Sequence, residues 1–64
     1  MTEQDWNARL GAAMREARKR RNWTIYDTAA ALDVAHTTIS RWERGQQGMK
    51  AYYYHQLVCA GLLP

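Results

Sequence analysis

With 64 residues and a 47% hydrophobic share, the chain is a single folded domain, too apolar for a disordered tail and too short to bury much more than about 60% of its unfolded surface. Its one cysteine, Cys59, rules out an internal disulfide and fits a reducing, cytoplasmic setting, no apolar run nears the roughly 20 residues of a membrane span, and the acidic, polar residues 1–10 lack the character of a signal peptide. A formal charge of +3 favours phosphate backbones or anionic membranes as partners, though charge alone is a weak indicator.

The first predicted helix covers residues 3–21. Trp6, Leu10, Ala13, Met14 and Ala17 recur at steps of three and four, which places them on one apolar stripe. Thr2 is a candidate N-cap with Asp5 three residues on, and acid suits that end of the helix dipole. Arg15, Arg18, Lys19, Arg20 and Arg21 load the other end, where cations are favoured. Such a run reads either as a solvated, dipole-matched helix end or as a phosphate contact. Asn22 follows, a residue that tolerates the left-handed backbone that closes many helices.

Residues 24–45 then read as two short helices joined by a turn, the size of a helix-turn-helix. Thr24 caps a second helix over 25–32, with Asp27 in the reciprocal position of a capping box. Ala29, Ala30 and Ala31 favour helix and let a neighbouring helix come close. Leu32 points inward, Asp33 takes the turn and Val34 plugs it. The third helix covers 36–44. Ile39 and Trp42, three apart, face the core. His36, Thr37, Ser40, Arg41 and Arg44 occupy the other faces. A face meant only for solvent more often carries Glu and Lys, whereas Thr, Ser, His and Arg suit the reading of base edges. His36 by itself reads as a solvated histidine at a helix start, but its place on this face favours a nucleic-acid contact.

Gly45 ends the third helix and residues 46–48 form a loop. A fourth helix is expected over 49–60, with Tyr53, Leu57 and Ala60 on one face and Tyr54, Val58 and Gly61 beside them. Tyr52, Tyr53 and Tyr54 cannot all face one core, so at least one is exposed. The run reads either as an ordinary amphipathic helix or as a self-association or partner surface, where aromatics are enriched.

Over roughly residues 10–60 the chain resembles the Cro/phage-repressor type of helix-turn-helix domain, the XRE family. The residues that carry the likeness are Leu10-Gly11, Met14-Arg15, Arg18, the Asn22-Trp23-Thr24 corner, Ala29, Leu32, Val34 and the run Thr38-Ile39-Ser40-Arg41-Trp42-Glu43-Arg44-Gly45. The resemblance implies an all-α, compact four-helix domain, residues 1–64, whose fifth helix is missing or reduced to Leu62-Leu63. It implies an ion pair between Arg18 and Glu43, base reading by His36, Thr37, Ser40 and Arg41, and phosphate contacts from Thr38, Arg44 and the loop of Gln46 and Gln47. The chain departs from the family at Ile25, where a Gln usually contacts a phosphate and braces the recognition helix; that contact is either lost or supplied by Thr24 or Tyr26. Asp33 replaces a turn glycine, Ala35 a Ser or Thr cap, and Thr28 a core leucine.

The resemblance further implies a regulator of bacterial or phage origin that binds double-stranded DNA. It would be a repressor working as a homodimer on a two-fold symmetric operator. Tyr52, Tyr53, Tyr54, Leu62 and Leu63 are the candidate dimer or partner surface. The alternative function is a protein-interaction module, an antitoxin-like or anti-repressor protein that uses the tyrosine-rich helix. No cofactor or metal is expected: His55 and Cys59, four apart, are only two ligands, and Cys59 reads as a small buried apolar residue. No enzyme is expected either, since no nucleophile–base set, glycine-rich phosphate loop or paired carboxylates are present.

Overall fold

Reciprocal capping fixes two of the helix starts. The Thr2 hydroxyl accepts the Asp5 amide at 3.1 Å while the Asp5 carboxylate accepts the Thr2 amide at 3.2 Å, and Thr24 and Asp27 repeat this at 3.1 and 2.8 Å. The computed structural model describes residues 1–63, and these form α1 (Glu3–Arg20), α2 (Ile25–Leu32), α3 (His36–Glu43) and α4 (Ala51–Cys59), with no strand among the described residues. The fourth helix starts two residues later than its sequence pattern suggests, because Lys50 is extended and takes the N-cap position.

The four helices end in the same way. Asn22, Asp33, Gly45 and Gly61 all have positive φ, between 55° and 76°. After each, the amide of the following residue reaches back to a carbonyl one turn and a half earlier: Trp23 to Arg18, Val34 to Ala29, Gln46 to Arg41, Leu62 to Leu57. This is the Schellman closure, which satisfies the last carbonyls of a helix and turns the chain sharply. It also brings the residue after the turn back onto the helix it leaves, and so decides where the tail goes.

Both α1 and α2 pack on α3, and α4 packs on α2 while its Tyr53 reaches Trp42 of α3. Met14, Ile39, Trp42, Leu57 and Leu62 are fully buried, joined by Ala17, Ala29 and Leu63. Burying side chains of this size stabilises by roughly 1.5–3 kcal/mol each relative to leaving them exposed. Thr28 occupies its core slot completely buried, its hydroxyl donating to the Thr24 carbonyl at 3.3 Å, so no polar group is orphaned by the change from leucine. The crossing of α1 and α3 is closest at Gly11, where a Cβ would run into the Trp42 carbonyl oxygen and lie 2.8 Å from that of Glu43.

Four sequence readings need correction. Leu62 and Leu63 are core residues, not surface: the turn at Gly61 folds them under α4, and both amides donate to the Leu57 carbonyl. They neither extend the tyrosine surface nor form a fifth helix. Cys59 is exposed, because it lies two residues, about 200° of helical rotation, from the buried Leu57. Trp6 is 50% exposed, since α1 is an 18-residue helix and its first turn runs past its eight-residue neighbour α3. Val34 is half-buried rather than a sealed plug.

Candidate nucleic-acid interface

The 3.6-residue period of α3 separates its faces. Ile39 and Trp42 are buried against α1 and α2, which turns His36, Thr37 and Arg41 outward as exposed side chains, with Ser40 half-buried between them and Arg44 exposed one turn on. The four residues expected to read bases therefore share one continuous face.

The only carboxylate on α3 is removed from that face. Glu43 turns inward, where Arg18 Nε donates to its Oε2 at 2.7 Å and Arg18 Nη2 to its Oε1 at 3.0 Å. The two side chains are 11% and 6% exposed. The hydrogen bond to Glu43 raises the Arg18 pKa above the ordinary arginine value, outweighing the opposing effect of burial, and the charge of Glu43 adds to the rise. The outer side of α3 thus carries Arg41 and Arg44 with no acid from its own helix.

Two clefts flank the helix. One, of about 230 Å³, is lined by Arg15, Arg18, Ile25, Ser40, Glu43 and Arg44. The other, of about 380 Å³, runs between the α2–α3 turn and the start of α4, where Thr38, Gln47 and Lys50 meet. Arg15, Arg44 and Lys50 form no ion pair among the described residues, so each cleft presents a cation beside α3. The sequence pattern does not single out Lys50, and it marks Arg15 as part of a basic run and of the family likeness but not as a cleft residue. Their position depends on how α1 and α4 lie beside α3, which no local pattern encodes.

The remaining candidates are scattered in role. Thr38 is half-buried and lines the second cleft rather than the outer face. The Thr24 hydroxyl oxygen is occupied as an acceptor in the α2 cap, which leaves its O–H as the free donor. Gln46 and Gln47 are exposed in the loop. Arg44 Nε lies 3.4 Å from the Ser40 carbonyl, a long contact that leaves the guanidinium available. Tyr26 is 67% exposed and stacks against His36, ring centroids 4.9 Å apart and tilted by 39°.

On α4, Tyr52 is 66% exposed while Tyr53 and Tyr54 are half-buried. Tyr52 meets Tyr53 edge-on at 5.2 Å, and Tyr53 packs on Trp42 at 5.3 Å. Of the three tyrosines, only Tyr52 is exposed. His55 Nε2 and Cys59 Sγ lie 3.5 Å apart, and no group of three or more potential metal ligands occurs among the described residues. No helix of the described residues is long and apolar enough to cross a membrane.

A family model described as helix-turn-helix matches residues 14–49, more than half of the chain, spanning the C-terminal part of α1 from Met14, all of α2 and α3, and the following loop. No curated protein and no solved structure matches it.

Proposed function

The chain belongs to the helix-turn-helix family of DNA-binding regulatory domains, of the Cro/phage-repressor (XRE) type, and from that membership we propose that it is a sequence-specific repressor. It binds a two-fold symmetric operator as a homodimer, with α3 in the major groove of double-stranded DNA. The observation that carries this reading is the inward turn of Glu43 onto Arg18, which leaves the outer side of α3 with hydrogen-bonding and cationic groups only. A helix meant for solvent has no reason to hide its one acid.

In this reading His36, Thr37, Ser40 and Arg41 face base edges, and Arg41 donates two hydrogen bonds to a guanine. Thr24, Tyr26, Thr38, Arg44, Gln46 and Gln47 contact phosphates, joined by Arg15 and Lys50 in the flanking clefts. The working place is a bacterial or phage-infected cytoplasm, and no catalytic step is assigned. Tyr52, with Tyr53 and Tyr54 behind it, is the surface for a second copy.

Selection of bound duplexes from a random pool tests the proposal. The expected result is an inverted repeat with half-sites about 10–10.5 base pairs apart, bound with an affinity that falls steeply as salt rises. Binding that shows no salt dependence and enriches no sequence overturns it.

The exposure of Tyr52 also favours a second reading, a module that holds another protein through α4. A wild-type chain that forms a tight operator complex and a homodimer, the homodimer being lost in Tyr52→Ala and no other protein being held through α4, removes that reading.

A further inference from the structure

The outer face of α4 has an unusual composition. Ala51, Tyr52, His55, Val58 and Cys59 are its exposed residues, and the helix holds no Asp, Glu, Lys or Arg. A solvated helix face normally carries such charges. Tyr52, His55 and Cys59 follow one another at steps of three and four, so they form a single row on that face. Cys59 stands in this row rather than in the core, and its sulfur is open to chemistry rather than committed to packing.

Within the row, His55 Nε2 and Cys59 Sγ lie 3.5 Å apart. A zinc ion bound to an imidazole nitrogen at about 2.0 Å and to a thiolate sulfur at about 2.3 Å, with a tetrahedral angle between them, sets those two atoms roughly 3.5 Å apart. The pair is therefore spaced as two neighbouring corners of a zinc tetrahedron. Ligands four residues apart on one helix face can also share one zinc ion.

One chain supplies only these two ligands, and a structural zinc site takes four. A second copy seated on the same face supplies the others, because a two-fold interface presents the same patch from both chains. A tetrahedron of two nitrogens and two sulfurs has a two-fold axis of its own, so it can sit on the axis of such a dimer without distortion. The charges close as well. Each Cys59 thiol releases its proton to water on binding, each His55 binds as a neutral imidazole, and two thiolates cancel the double charge of zinc. The resulting site is neutral, which suits a face with no other charge.

We propose that His55 and Cys59 are half of a zinc site with two cysteine and two histidine ligands, completed by the same pair from a second copy, so that zinc clasps two α4 helices together. The inference rests on the reading of α4 as a self-association surface and deepens it. It does not depend on the DNA complex of α3.

The test uses the untagged full chain, kept reduced by a phosphine, with cobalt(II) and zinc as the probes. Cobalt titration is expected to produce a thiolate-to-metal charge-transfer band and the intense visible bands of a tetrahedral ion, saturating at one ion for two chains. Sedimentation equilibrium is expected to show zinc tightening the homodimer at least about tenfold over chelator-treated protein, because the ion binds the dimer in preference to the monomer. Cys59→Ser and His55→Ala are each expected to lose both effects, while their melting in chelator stays near wild type because both side chains are exposed. Saturation at one ion per chain, or cobalt bands that survive Cys59→Ser, overturn the proposal. A homodimer that forms in chelator and ignores zinc removes the zinc site and keeps the self-association reading. A chain that stays monomeric with and without zinc removes both.

Discussion

Arg18 on α1 grips Glu43 at the end of α3 with two parallel hydrogen bonds, Nε to Oε2 at 2.7 Å and Nη2 to Oε1 at 3.0 Å, and its third nitrogen, Nη1, donates to the Trp23 carbonyl at 2.8 Å. One guanidinium therefore ties together the scaffold helix, the corner that leads into α2 and the last turn of α3. The planar fork is what makes this possible, because three donors must point in fixed directions at once.

Breaking the pair from either side leaves a charge in a largely dehydrated place. Arg18→Ala is expected to destabilise the fold by about 3 kcal/mol in urea denaturation. Arg18→Lys keeps the charge but not the fork and is expected to lose at least about 1 kcal/mol. A double-mutant cycle with Glu43→Gln should return a coupling of about 1–3 kcal/mol. The pH dependence has a definite sign. Because the folded state raises the Arg18 pKa, the stability linked to its ionisation is fully present below the ordinary arginine pKa and is lost only as pH rises above it. Melting followed from about neutral pH to about pH 10 should show no loss that Arg18→Ala removes.

Gly11→Ala tests the helix crossing. The atoms that a new Cβ would meet are the backbone carbonyl oxygens of Trp42 and Glu43, which cannot swing aside as a side chain could. α1 must back away from α3, and the cost is expected to be about 2–3 kcal/mol despite alanine's better helix propensity. A variant more stable than wild type would mean the two helices are not held this close in solution.

The sequence spells out what is local and is silent on what is tertiary. The capping pairs Thr2–Asp5 and Thr24–Asp27 and the left-handed closures at Asn22 and Asp33 are visible as residue types at fixed offsets, because short-range hydrogen bonds and backbone angles decide them. The inner face of α3 is legible from the spacing of Ile39 and Trp42 for the same reason. The tail is not legible: Leu62 and Leu63 look like a free apolar end until the turn at Gly61 folds them under Leu57. Trp6 fits the apolar stripe by periodicity, yet nothing in the spacing says where the packing partners of α1 stop. Lys50, Arg15 and the Tyr26–His36 stack belong to the site only through the mutual placement of helices.

The turn and cap before α3 can be improved without touching the outer face. Ala35 already has the extended backbone of an N-cap, φ −68° and ψ 144°, and lacks only the oxygen. Ala35→Ser is expected to stabilise by about 1 kcal/mol. Asp33 sits at φ 55° and ψ 48°, a conformation that costs most L-residues roughly 1–2 kcal/mol and glycine almost nothing. Glycine loses part of that gain through a freer unfolded chain, so Asp33→Gly should stabilise by at most about 1 kcal/mol. The changes share one turn, and the double variant is expected to fall short of the sum.

The division of labour on α3 predicts two different losses for its two arginines. Arg41 lies in the middle of the outer face and reaches bases in the proposed complex. Arg41→Ala is expected to cost about 1–3 kcal/mol on the operator and to relax preference at one base pair. Arg44 lies one turn away, lining the cleft that it shares with Arg15, and contacts a phosphate in the proposed complex. Arg44→Ala should weaken operator and random DNA alike and lower the slope of log affinity against log salt by about one. The measurement is competition binding at several salt concentrations with both duplexes. If Arg41→Ala leaves the ratio of operator to random affinity unchanged while Arg44→Ala alters it, the reading face lies nearer the C-terminal end of α3, and the roles of His36 and Thr37 at the other end fall with it.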